Sequence, residues 1–257
     1  MKRLFFICLI TLCRFLPLTA GWIVQQEVNG EEQETLYIQD QKIKIVNLSG
    51  ISILDLENRT IAILNPQKKT YFLGPPEALK PEAFDAFSET MKEGREALSG
   101  EDSIEAAQYG ERLRQLYESQ KRGYAKPPEI EITEKKSKEK AAGHRLEQFD
   151  VFVDGQHLET LWICPDIEMK ADLDVKSWLD FLRIMSGEDM NSVYLSDAYI
   201  DLMGKGFPLK SKTSHGTFTE VKTLTQKNIR PDVFSIPPGY KRITYQEMIA
   251  SEIEDDN

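Results

Sequence analysis

The sequence predicts an α+β fold: one domain built on an antiparallel sheet and interrupted by two helical inserts. Three observations carry this. Turn signals recur at short intervals between Trp22 and Leu73, helical spacing of apolar residues takes over after Pro75-Pro76, and strand patterns return beyond each helical stretch.

The first twenty residues stand apart. Lys2 and Arg3 precede an apolar run from Leu4 to Cys13, and Leu18, Thr19 and Ala20 offer a small-residue cut before Gly21. A basic start, a short apolar middle and a small residue at the end read as a cleaved secretory signal. A membrane anchor would need roughly twenty apolar residues, and Arg14 and Pro17 break the run too early. A lipoprotein signal would want a small residue before the cysteine, where Leu12 stands before Cys13. The expectation is a periplasmic or secreted protein that is not integral to the membrane once the signal is cut.

Cleavage removes three cations and no acid, taking the formal charge of the 257-residue chain from −10 to −13. Such a surface repels phosphate backbones, which argues against nucleic acid as a partner. Cys8 and Cys13 leave with the signal, so Cys164 is the one thiol of the mature chain and an intramolecular disulfide is impossible. Its setting, Leu161-Trp162-Ile163-Cys164-Pro165, is an apolar strand end that suits a buried, inert thiol.

About six strands are expected between Trp22 and Leu73, separated by Asn29-Gly30, Gln39-Asp40, Ser49-Gly50, Glu57-Asn58 and Pro66-Gln67. Ile43 and Ile45 alternate with Lys42 and Lys44, as a half-buried strand requires, while Ile51 to Leu56 and Ile61 to Leu64 are apolar on both faces. Phe84, Phe87 and Met91, then Ile104, Ala107, Leu113 and Leu116, predict amphipathic helices over 81–92 and 104–117. Glu129 to Thr133 reads as a strand, and the charged run Glu134 to Lys140 as a solvated hairpin or sheet edge. The clearest hairpin follows. Phe149, Val151 and Val153 face one way, Asp154-Gly155 turns the chain, and Leu158, Thr160 and Trp162 return.

Helices are expected over 172–185 and 191–203, then a hairpin turning at His215-Gly216. Thr244 with Glu247 forms a capping-box pattern for a terminal helix, and an acidic tail occupies 251–257. The inserts fall near 77–123 and 172–204 of a single domain spanning 21–250.

Chemical motifs are sparse. His144, His157 and His215 lie at no metal-ligand spacing, and Gly204-Lys205-Gly206 follows a helix and lacks the residues of a phosphate loop. Asp172, Asp174 and Asp180, or Glu188 and Asp189, read as helix caps and loop acids. Asn47-Leu48-Ser49 and Asn58-Arg59-Thr60 match the glycan acceptor pattern. No metal, cofactor or catalytic residue is assigned.

Tyr37 to Ile45, Ile53-Leu54-Asp55-Leu56 and Lys69-Thr70-Tyr71 resemble the opening meander of a domain-of-unknown-function family of secreted bacterial proteins. Gly143-His144, Phe149 to Gly155 and Leu161 to Asp166 are similar to its second hairpin, and Phe234 to Tyr240 to its closing segment. That family resembles the periplasmic lipoprotein carriers and outer-membrane lipoprotein receptors of the LolA and LolB type. The resemblance implies a curved, unclosed β-barrel with helices covering its concave side and a cavity that accepts acyl chains. This chain departs from it by a longer helical insert between Pro75 and Gly123.

The function so implied is a non-enzymatic periplasmic or envelope protein that binds or carries an acyl chain, a lipoprotein or another apolar ligand, without a cofactor. Ile43, Ile45, Phe149, Val151 and Trp162, from the cleanest alternating strands, are the candidate cavity walls. An envelope protein–protein module with a filled interior is the alternative. A hydrolase, which needs two carboxylates about 5–10 Å apart, ranks last.

Overall fold

The computed structural model describes residues 20–79, 128–186 and 191–255. The opening meander is six strands, β1 (Gly21–Val28), β2 (Glu32–Gln39), β3 (Lys42–Asn47), β4 (Gly50–Asp55), β5 (Thr60–Asn65) and β6 (Thr70–Gly74), each antiparallel to the next without a register shift. Between β2 and β3 the two turn residues Asp40 and Gln41 both take positive φ, 50° and 60°. That geometry matches the twist of the flanking strands but is unusual for glutamine. Three hydrogen bonds hold Gln41 there. Its N–H donates to the Asp172 carbonyl at 2.9 Å, its own carbonyl accepts from Leu56 at 2.9 Å, and its Oε1 accepts from the Asp174 N–H at 2.7 Å. The turn thereby ties the sheet to the segment that opens the second helical region.

The strands after the first insert are β7 (Ile130–Lys135), β8 (Lys140–Ala141), β9 (His144–Arg145), β10 (Glu147–Val153), β11 (Gln156–Cys164), β12 (Phe207–Thr213), β13 (Phe218–Lys227) and β14 (Lys241–Arg242). Strands β8 and β9 form a ribbon of their own; the rest join one curved, unclosed sheet in the order β14-β6-β5-β4-β3-β2-β1-β13-β12-β11-β10-β7. All its pairings are antiparallel except that of β14 with β6. The seam between the two meanders is β1 on β13, paired from Gly21↔Lys227 to Val28↔Thr219. The charged run after Thr133 ends the edge strand β7 and enters a loop, where charge discourages pairing with another chain.

The helices expected over 81–92 and 104–117 lie outside the described residues. Helix α1 (Val175–Ser186) starts three residues later than the sequence suggests, because Asp174 accepts the Ser177 N–H at 3.1 Å and serves as its cap. The helix expected over 191–203 is broken. A single turn, Asn191–Tyr194, is followed by α2 (Asp197–Met203), and between them Ser196 adopts extended backbone, its Oγ accepting the Tyr199 N–H at 3.1 Å. The capping box of α3 (Tyr245–Asp255) is reciprocal: the Thr244 N–H donates to Glu247 Oε2 at 2.7 Å and the Glu247 N–H to Thr244 Oγ1 at 3.2 Å. That helix carries on into the expected acidic tail as far as Asp255.

Three register shifts lie in the second half of the sheet. Leu158 is the extra residue of β11 opposite β10, Leu209 that of β12 opposite β11, and Lys222 that of β13 opposite β1. Each bulge bends its strand and increases local twist. Apolar residues of β4 and β5 are buried on both faces, as their sequence requires. Leu54 and Ile61 join the main core on one face, and Ile53, Ala62 and Leu64 pack on the other with Phe234, Ile236 and Tyr240 of the C-terminal segment. Lys44, on this second face, donates to the Val233 carbonyl at 3.0 Å and straps that segment down.

Gly206, between α2 and β12, sits against the chain at Cys164. A Cβ there would lie 2.1 Å from the Cys164 carbonyl oxygen and 2.9 Å from Pro165 Cα, backbone atoms that have no room to yield. Gly204, in helical conformation with nothing nearer than 3.3 Å, is the matched control. Gly206→Ala is expected to cost roughly 2–3 kcal/mol and Gly204→Ala less than about 1 kcal/mol, read from urea unfolding midpoints. Equal midpoints for the two variants would overturn the assignment.

Candidate functional site

The site begins with the bulge at Leu158. With a regular ladder from the Asp154-Gly155 turn, Val151 would face Leu158 and Phe149 would face Thr160. The bulge makes the pairs Val151↔Glu159 and Phe149↔Leu161 instead. A one-residue shift exchanges the faces of a strand. Glu159, Leu161 and Ile163 therefore point to the side where Phe149 and Val151 lie, and Thr160 and Trp162 point to the other.

On that first side, α1, the 191–194 turn and α2 pack over the sheet. Phe149, Val151, Leu161 and Ile163 form one cluster with Leu179, Val193, Tyr199 and Leu202. Farther along, Trp178 spans this cluster and the main core, and the described residues leave a cavity of about 420 Å³ beside it. Leu36, Ile38, Ile43 and Ile45 of β2 and β3 form its sheet wall. Leu161 of β11 stands across from them, and Trp178, Leu179 and Leu182 of α1 close it from the helix side.

Of the residues proposed from sequence, Ile43 and Ile45 line the cavity. Phe149 and Val151, 1% and 0% exposed, lie in the neighbouring packed cluster and are not among its walls. Trp162 lies on the opposite face, buried in the cluster that includes Ala141, Leu146 and Leu209; Leu161 takes the place its position suggested. The difference follows from the bulge.

The cavity also has a polar end that the sequence reading did not assign. Glu159 is buried, 6% exposed, and Tyr199 donates its hydroxyl to Glu159 Oε1 at 2.7 Å. The Tyr194 ring meets the Tyr199 ring edge-on, with centroids 4.9 Å apart. Burial pushes the Glu159 carboxyl above its ordinary value, which the Tyr199 hydrogen bond opposes in part. Burial and the nearby Glu159 carboxylate raise both tyrosines as well, so they remain donors. Glu34 of β2 lines the same cavity, held by the Gln26 amide at 2.8 Å and the Asn47 amide at 3.2 Å. The two acids stand four strands apart in sheet order, about 19 Å along the sheet at ordinary strand spacing. The break at Ser196 could have signalled Tyr199 in the sequence, since Ser196 three residues before it is a good cap. Nothing in the local pattern signals Glu159, which a regular hairpin would turn to the opposite face, across from Asp150.

The other sequence candidates are structural in their surroundings. Cys164 is buried, and burial pushes its thiol up, away from reactive thiolate. Asp180 pairs with Arg59 at 3.0 Å, Asp172 is buried with its carboxyl pushed up, and Glu188 and Asp189 lie outside the described residues. The side-chain amides of Asn47 and Asn58 bond to Glu34 and Asp55. Among the described residues no group of three or more His, Cys, Asp or Glu side chains is placed to hold a metal ion, and no helix is long and apolar enough to cross a membrane.

No protein-family model matches the chain, and no curated protein matches it. Two solved structures of PNGF-II, in the C2 and P21 space groups, are similar to it at TM-scores of 0.38 and 0.37, each with 11% identity. The alignments cover 90% of this chain and 32% and 33% of those, so the chain spans about a third of their length. At that likeness neither fold nor activity is transferred.

Tyr199→Phe leaves the Glu159 carboxyl without its donor and is expected to cost about 1–3 kcal/mol in urea unfolding. Glu159 has a raised folded-state value, so its contribution to stability is complete below its ordinary 4.5 and declines as pH rises above it, where the unfolded chain ionises first. Glu159→Gln is therefore expected to gain stability relative to the unaltered chain as pH rises from the ordinary glutamate value of 4.5 into the neutral range. A difference that stays constant across that range overturns the burial of this carboxyl.

Proposed function

We propose that this chain is an exported, non-enzymatic envelope protein that holds an acyl chain, or an apolar ligand of like size, between the concave side of its sheet and the helices covering it. The cavity carries this reading. Its volume, about 420 Å³, lies within the roughly 300–1,000 Å³ of small-molecule sites, which are typically apolar with few polar groups. Affinity comes from apolar surface withdrawn from water, about 0.8 kcal/mol for each methylene buried. The segments that resemble a family of secreted bacterial proteins, itself similar to the LolA and LolB type, support the same reading, as does the basic and apolar start of the chain, which suits delivery to the periplasm.

The test is native mass spectrometry of the full chain released gently from cells, which is expected to show lipid-sized adducts. In vitro, a series of straight-chain alcohols should bind about fourfold more tightly for each added methylene until the cavity is full. Leu36→Trp, which fills the cavity from its sheet wall, should weaken binding about tenfold with the circular dichroism unchanged. A clean apo mass with no chain-length dependence overturns the reading; a crosslinked partner in that case points to the protein–protein module. For the address, full-length protein expressed in a Gram-negative host is expected in the periplasm with Gly21 as its first residue. A cytoplasmic product that keeps its first twenty residues overturns the export.

A further inference from the structure

We propose that Glu159 and Tyr199 form a head-group subsite at one end of the cavity, selecting an amphiphile that carries a primary ammonium over one that carries a carboxylate. This rests on the reading that the cavity takes an alkyl chain, and it adds the chemistry at the end of that chain.

Glu159 is more than nine-tenths buried, lines the cavity, and bonds through Oε1 to Tyr199. Among the described residues the Tyr199 hydroxyl is its hydrogen-bond partner, through Oε1, and no cation pairs with it. A carboxylate in such surroundings is costly unless a cation or further donors reach it. An ammonium has three N–H donors and no acceptor. It supplies both the charge and the donors, while its alkyl chain lies along the isoleucine and leucine wall.

The remaining charges of the cavity agree. Glu34 adds a second acid whose partners, Gln26 and Asn47, are neutral amides. Lys210 is the one cationic side chain among the cavity's described walls, and it is already paired with Glu139 at 2.9 Å and Glu220 at 3.2 Å. Among the described residues, a fatty-acid carboxylate entering this cavity meets two acids and no free cation. A neutral alcohol meets acceptors but gains no charge pairing.

Isothermal titration of the full chain with dodecylammonium, dodecanol and dodecanoate, each below its micelle concentration, separates the cases. Dodecylammonium is expected to bind at least about tenfold more tightly than either of the others. Glu159→Gln should bring the three to within about threefold of one another, whereas Glu31→Gln, in the exposed turn after β1, should leave the preference intact. Equal affinities, or tightest binding of dodecanoate, overturn the subsite and leave the apolar cavity standing. A preference abolished equally by Glu31→Gln assigns it to overall acidity and also overturns the subsite. Failure of all three to bind overturns the cavity as a binding site. The three ligands on the unaltered chain decide the matter even where the Glu159 variant does not fold.

Discussion

The bulge at Leu158 is the constraint on which the site depends. It adds one residue to β11 opposite β10 and so exchanges the two faces for every residue from Glu159 to Ile163. The main chain accommodates it because the Leu158 carbonyl, out of step with β10, accepts the Ser214 N–H at 2.7 Å from the other side. The Leu158 carbonyl thus keeps a backbone partner despite the bulge. On the helix side the bulge places Leu161 and Ile163 for packing against α1 and α2, and it places one acid. On the other side it leaves Thr160, whose hydroxyl donates to the buried Asp150 at 2.7 Å.

The two halves of the sheet differ in the regularity of their pairing. From β1 to β6 the register is unbroken, whereas the shifts at Leu158, Leu209 and Lys222 fall at three of the pairings that carry the sheet from β10 back to β1. Bulges add local twist and bend to the strands that carry them. Close packing is achieved near Phe149 and Val151, where α1 and α2 rest on β10 and β11. Toward β2 and β3 the described residues leave the cavity, with Leu36, Ile38, Ile43 and Ile45 on its sheet side and Trp178 among its walls. The Gln41 turn, bonded to Asp172 and Asp174, holds the start of α1 against that end of the sheet.

Much of this was legible in local sequence. The six-stranded meander, the Asp154-Gly155 hairpin and the capping box at Thr244 each depend on residues a few positions apart, and each lies where the pattern put it. What the pattern did not reveal depends on partners far along the chain. Pairing of β1 with β13 joins residues about two hundred positions apart, and no local signal announces it. Bulges are equally silent, since Leu158 has no glycine or unusual backbone to mark it. Reading Trp162 as a cavity wall followed from a regular ladder, and one inserted residue was enough to send it to the opposite face. The break before α2 was closer to legible, because Ser196 and its Oγ bond to the Tyr199 amide are a local cap.

The polar end and the empty space beside it depend on each other physically. A buried carboxyl bonded to one tyrosine hydroxyl is a weak contributor to stability, and replacing such polar groups with packed apolar side chains is often neutral or favourable. Glu159 remains tolerable because Tyr199 satisfies one oxygen and the cavity leaves the other unenclosed by packing. Filling the space with larger side chains would enclose that oxygen without a partner, at the desolvation cost of an unmet acceptor. Removing the acid alone would leave an apolar hollow with nothing to orient a ligand in it. The buried acid and the space beside it therefore stand together: each lowers the cost of keeping the other.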